Sequence, residues 1–293
     1  MEAQGIGVVC PVENLSAAQA AAMVRKAERL GYASLWIGEL VVGRDPFAMA
    51  SLLLSQTQRI KVGLSVAIVW KRQPATMMNA ARTLAGLFDN RFILSMGASH
   101  KPFINRYGMH YEKPYRFMCE YVEKMRAAPF LGPRLAQEPP VLLAALMPKM
   151  LALAAQTDGA IITNGTPELT ARVRAALGPD KKIYVIQKML LETDAARARA
   201  AGRSMFSFYM RLPNYANSVR SLGFTEEDLS GGGSDRLVDA LLAWGTEAQL
   251  RQALDQQFKA GANHICILPL AVGAPAAGVP LMDERTFEAL APR

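Results

Sequence analysis

The chain reads as a closed (β/α)8 TIM barrel, one domain over residues 1–293, with insertions after strand four and between strands seven and eight. Eight short apolar runs punctuate the sequence, each separated from the next by at least one helical pattern. Such alternation builds parallel strands, and eight of them in roughly 250–300 residues suit a barrel. No GxGxxG follows any run, which lowers the open doubly wound sheet as the rival.

The first strand is Ile6 to Val9. Ser16 and Gln19 then form a capping box, opening a helix that buries Ala20, Met23, Ala27 and Leu30 and stops at Gly31. Ser34 to Ile37 is the second strand, and Asp45-Pro46 starts the helix after it. Ile60 to Ile68 is rich in β-branched residues, with Gly63 marking a bulge or a close approach. Gln73 to Asp89 places Met77, Met78, Ala81, Leu84, Ala85 and Phe88 on one helix face. Phe92 to Met96 is the fourth strand, ending in Gly97-Ala98-Ser99-His100, where small residues leave room for a flat ligand. Prolines 102 and 114 predict an irregular insertion over residues 99–115, followed by a helix from Tyr115 to Arg126. The remaining strands are Val141 to Leu146, Ala160 to Thr163, Ile183 to Leu191 and His264 to Leu268. Helices start at Pro148, at Thr166-Pro167 and at the Thr246–Gln249 capping box. The stretch from Asp194 to Trp244 exceeds one crossover helix and contains Gly231-Gly232-Gly233-Ser234, a flexible break beside a lid or an oligomer contact.

Composition narrows the function classes. At 51% hydrophobic residues the chain buries one large core, and it has no apolar run long enough to span a bilayer. The N-terminus lacks the layout of a signal peptide, and Cys10, Cys119 and Cys266 are an odd, widely spaced set without a CxxC pair. These features predict a cytoplasmic protein without a structural disulfide, and no metal-ligand spacing stands out. A net charge of +8 invites a polyanion. The basic residues are scattered, however, so a small anionic cofactor or a solvated surface accounts for them better than nucleic acid.

Barrel chemistry sits just past the strand ends, here Cys10, Glu39, Ser65 to Trp70, Ala98 to His100, Ala145 to Met147, Thr163 to Thr166 and Gln187-Lys188. This set has few ionisable groups and no paired carboxylates, GxSxG or HExxH. Such a site belongs to a cofactor, and hydride transfer with a flavin-like ring is the natural candidate. Glu39 and His100 are the candidate proton-handling groups; the plain alternatives are a structural hydrogen bond and an exposed loop residue. Trp70, Met147, Tyr209 and Tyr215 wall an apolar substrate pocket or pack in the core. Arg211 and Lys188 hold a substrate anion or are solvated at the surface, the safer reading, and Cys10 reads as a buried, inert thiol.

The ordered set WIGE, DPF, TQRIKVGLSVAI, QPATMMNAARTLAGLFDNRFILSMGAS and VLLAALMPKMLALAAQTDGAIITNG resembles the luciferase-like monooxygenase superfamily. Within it, the chain most resembles the branch that uses the deazaflavin coenzyme F420, over Gly5 to Leu177 and again around LPNYANSVRSLGF and GANHICILPL. The resemblance implies a TIM barrel, a homodimer, a small-molecule substrate and a ring lying across the strand ends. It implies a non-prolyl cis peptide at Ser65-Val66, Ala98 and Ser99 along the ring, and Thr163, Asn164, Gly165 and Thr166 around the cofactor phosphate. It places Ala145, Leu146 and Met147 at the cofactor as well, with Leu146-Met147 standing where many relatives have Gly-Gly. Glu39-Leu40 replaces an Asp-His pair and His100 replaces an acid, which points away from sugar-phosphate oxidation. An FMN-dependent monooxygenase is the runner-up. A non-catalytic member, its ring volume filled by Leu146 and Met147, is the third reading.

Overall fold

The computed structural model describes residues 5–273 and 282–292. Its strands are β1 (Gly5–Val9), β2 (Ser34–Ile37), β3 (Lys61–Leu64), β4 (Ala67–Ile68), β5 (Phe92–Gly97), β6 (Val141–Ala144), β7 (Gly159–Thr163), β8 (Lys182–Leu191), β9 (Leu242–Gly245) and β10 (His264–Pro269). They pair in parallel in the order β10-β1-β2-β3-β5-β6-β7-β8, and β8 pairs back onto β10, closing an eight-stranded barrel. β4 resumes the line of β3 after the break at Ser65-Val66 and pairs with β5. The sequence read β3 and β4 as one strand; together they form the third stave.

The helices cover the outside for local reasons. The Ser16–Gln19 box is closed by both of its hydrogen bonds, and Ala20, Val24 and Ala27 lie buried beneath it. Asp45 accepts from the amides of Phe47 and Ala48, and Thr166 accepts from Leu169, each with proline opening the helix behind it. The main core lies between the strands and these helices. A second cluster, Trp36, Ile93, Leu142, Ile161, Tyr184 and Cys266, supplies one side chain from each of six strands and plugs the barrel interior. Gly63 makes room for this plug, since a Cβ there would strike the Trp36 ring. Lower down, the buried His264 shares a 2.7 Å hydrogen bond with Ser34, a structural place for that histidine.

Three expectations need correction. Residues 99–115 are not wholly irregular: Lys101–Arg106 is a helix, because Pro102 falls in the first turn, where a missing N–H costs nothing. The long segment before β10 is built, with helices at Ala195–Tyr209, Pro213–Arg220, Glu226–Leu229 and Asp235–Leu241. It also holds β9, which pairs with Lys188–Leu191 of β8. Because β10 pairs with β8 as far as Met189, β9 must occupy the opposite edge, the one that β7 leaves after Ile186. The glycine run is a 3-10 turn rather than a loose break, and Ser234 caps the next helix. Among the described residues no helix is long and apolar enough to cross a membrane.

Candidate functional site

The carboxyl ends of the strands open on one side of the interior plug. Val9, Val66, Ala144 and Ile186 sit on that plug as half-buried apolar side chains, one from each of four staves, and form a floor. Gly97 lies between two of them, since a Cβ there would be 3.0 Å from Ala144 and 3.1 Å from Val66. The peptide joining Ser65 to Val66 is cis, as the resemblance implies.

A rim surrounds the floor. His100 follows β5 and starts the short helix after it; its ring lies 4.8 Å from that of Tyr215, which lies 5.1 Å from Tyr209. His100 Nδ1 is buried and has no partner, and burial pushes this imidazole down to about 4, so it is neutral at ordinary pH. After β7, two staves along, Asn164 is 1% exposed in a left-handed conformation, and its Nδ2 also lacks a partner. Its Oδ1 accepts from Lys188 Nζ at 2.5 Å. The Lys188 ammonium also stands 5.3 Å from the Tyr209 ring centre. Lys188 is 1% exposed, which overturns the solvated reading of that residue.

The helices of the long insertion complete the rim. Leu190, Phe206, Val219, Val238 and Leu268 form their own core, and Tyr209, Tyr215 and the floor residues Val9 and Ile186 pack against it. The insertion thus covers one side of the mouth and brings Tyr209 and Tyr215 against His100 and Lys188.

Other expected residues lie elsewhere. Glu39 is buried, with Oε1 held by Lys71 at 2.8 Å and Arg72 at 2.7 Å, and Oε2 accepts from the Ile68 amide at 2.7 Å. It locks the turn after β4 to the end of β2. Trp70 donates to the Ala98 carbonyl at 2.7 Å and stacks on Phe117, with ring centres 3.9 Å apart. Arg211 is exposed and donates to Ser207 within its own helix end. Ala98 packs on the main core, and the Ser99 carbonyl accepts from Tyr111 at 3.3 Å. Ala145 and Leu146 also turn into the main core, whereas Met147 is 37% exposed. None of the three lies on the floor; that position falls to Ala144, one residue earlier, because successive strand residues alternate between faces. Gly165 is packed under Val185 and its carbonyl accepts from Gln257 at 2.6 Å. Past Thr166 a cleft of about 560 Å3 opens, lined by Thr166, Gln187, Arg236, Trp244 and Gln257.

The sequence reading missed Val9, Ala144 and Ile186, and misplaced Lys188. The signal for Lys188 was present: Gln187-Lys188 are consecutive polar residues inside an otherwise apolar central strand.

Fold and mouth together define a (β/α)8-barrel protein with a candidate ligand site at the carboxyl ends of its strands. The family model for luciferase-like monooxygenases matches residues 5–264, and the chain belongs to that family. It is 26% identical over 287 residues to a 5,10-methylenetetrahydromethanopterin reductase of Archaeoglobus fulgidus, covering 83% of this chain and 86% of that protein. An F420-dependent secondary alcohol dehydrogenase, solved with an F420-acetone adduct, superposes with a TM-score of 0.74 at 15% identity over 90% of this chain and 93% of that one. The FMN complex of a type II Baeyer-Villiger monooxygenase component from Pseudomonas putida superposes with a TM-score of 0.67 at 12% identity, covering 90% and 92%. At such identities the two structures support the fold alone.

Proposed function

We propose that this chain is an oxidoreductase that binds coenzyme F420 at the barrel mouth and exchanges a hydride with a small organic substrate. One observation carries the reading: a half-buried apolar floor of Val9, Val66, Ala144 and Ile186, flanked by two uncommitted buried polar atoms, His100 Nδ1 and Asn164 Nδ2. A flat ring needs such a floor, and the polar groups of the bound ligands need such partners. A putative coenzyme F420-dependent oxidoreductase of Mycobacterium tuberculosis, 32% identical over 107 residues and 36% of this chain, supports the deazaflavin over other ring cofactors. When bound, the deazaflavin supplies or takes a hydride at C5 and reacts poorly with oxygen.

The residues divide the remaining work. Val66 and Ala144 would hold the ring, with Gly97 leaving the floor open between them. Thr166 and the cleft beyond it would receive the phosphate end, with Thr166 already holding the helix start in place. The long insertion excludes water from one side, and Tyr209 and Tyr215 line the substrate space with His100. His100 would handle the proton that accompanies hydride transfer, donated to the substrate when it is reduced and accepted from it when it is oxidised, because its Nδ1 is free whereas both Glu39 oxygens are engaged.

The experiment is oxidation of reduced F420 against a panel of enones, imines and ketones, followed by the same assay on His100→Asn. The variant is expected to lose about a hundredfold in kcat while its F420 Kd stays within about twofold. Wild-type turnover in the variant would remove His100 from the chemistry. The FMN-dependent alternative is favoured only by the fold it shares with the FMN-bound neighbour. A homodimer, part of the same reading, is checked by sedimentation equilibrium.

A further inference from the structure

Lys188 is the one fully buried lysine in the barrel core, and its surroundings are incomplete. Moving an ammonium out of water is costly unless a counter-charge replaces the lost hydration. No carboxylate among the described residues pairs with it. Its hydrogen-bond partners are neutral: Asn164 Oδ1 at 2.5 Å and Thr163 Oγ1 at 3.4 Å. The rings of Tyr209 at 5.3 Å and Phe206 at 5.7 Å offer their faces, which soften the charge without cancelling it. Asn164 spends its acceptor on the lysine and leaves its buried Nδ2 donor unused. Donors thus outnumber acceptors among the described residues, and no acid balances them.

A buried cation next to an orphaned amide donor is an unfinished ion pair. We propose that Lys188 and Asn164 form a binding site for an anionic oxygen group, a carboxylate or a phosphate, carried by the ligand that enters the mouth beneath the Ala195–Tyr209 helix. The ammonium supplies the charge, and the Asn164 amide supplies a second, directional hydrogen bond. Tyr209 is the titratable group facing the amine; burial pushes its phenol up, so it stays neutral and does not compete for the charge. Burial pushes the amine down to about 7, and an arriving anion draws the proton back onto it. The substrate is therefore expected to carry an acidic group. The inference deepens the proposed function, yet its test needs neither turnover nor F420.

The test is thermal denaturation of the full chain, wild type and Lys188→Met, titrated with sodium phosphate and separately with benzoate just below neutral pH at constant ionic strength. At least one anion is expected to raise the wild-type Tm saturably, and its affinity is expected to fall by about tenfold or more in the variant. A response to phosphate alone assigns the site to a phosphoryl group, and a response to benzoate alone assigns it to a carboxylate substrate; both support the proposal. Without ligand, Lys188→Met is expected to melt higher than wild type, because a methionine fills the volume without a charge. Absence of binding by both anions, or equal binding by the variant, overturns the proposal. Should the variant not fold, nitrogen NMR of the wild-type lysine Nζ replaces it. Saturating anion is then expected to raise the Lys188 pKa by about one unit or more, and no movement overturns the proposal. F420 titration of the same samples reports separately on the proposed function.

Discussion

His100 and Lys188 are both held toward their neutral forms by burial, and each ties the stability of the fold to pH. His100 falls to about 4 from about 6.5 in the unfolded chain. The unfolded state therefore takes the proton first, and stability is lost as pH drops from about 6.5 toward 4, by up to about 3 kcal/mol. His100→Gln is expected to flatten that acid limb in chemical denaturation; an unchanged limb would show the imidazole to be solvated. Lys188 acts at higher pH. Its amine sits at about 7 against 10.5 unfolded, so the apo-protein gains stability as pH rises between those values. Lys188→Met is expected to lose this rise, which places the cost on the amine and not on the surrounding packing.

At the scale of elements, the turn after β4 is held by charge more than by apolar contact. Glu39 receives Lys71, Arg72 and the Ile68 amide, and Arg72 also reaches Asp45, the cap of the Pro46–Ser55 helix. Neutralising Glu39 removes the one carboxylate that Lys71 and Arg72 share, although Arg72 keeps Asp45 and Lys71 keeps the Leu40 carbonyl, so Glu39→Gln is expected to cost about 2 kcal/mol in urea denaturation. A stability loss under about 0.5 kcal/mol, accompanied by lost turnover, would return Glu39 to the chemistry. Most elements were legible because their signals are local. The Ser16–Gln19 and Thr246–Gln249 boxes, the Asp45-Pro46 start and the apolar runs of the eight staves need no tertiary information. β9 was hidden because Leu241-Leu242-Ala243-Trp244 is continuously apolar, and such a run fits a helix end or a strand equally well. Glu39 looked catalytic because its partners lie about thirty residues away, a distance over which sequence pattern carries no pairing information. The strand-end set began at Ala145 and so passed over Ala144, because the turn from β6 to its helix hides which face each residue takes.

For the whole molecule, the barrel supplies a closed, plugged support and the insertion supplies one wall of the mouth. Trp36 and its neighbours fill the interior, so the mouth is a shallow basin and not a channel. The segment between β8 and β10 then builds its own core against Val9 and Ile186, bringing Tyr209 and Tyr215 over the basin. A basin with an apolar floor and one buried cation at its edge suits a flat, anionic ligand more than an extended apolar chain. Equilibrium fluorescence titration of the wild-type protein with coenzyme F420, with FMN as competitor, tests this most directly. Saturable one-to-one binding of F420 that FMN displaces poorly is the expected result; tight FMN binding with no affinity for F420 would contradict it.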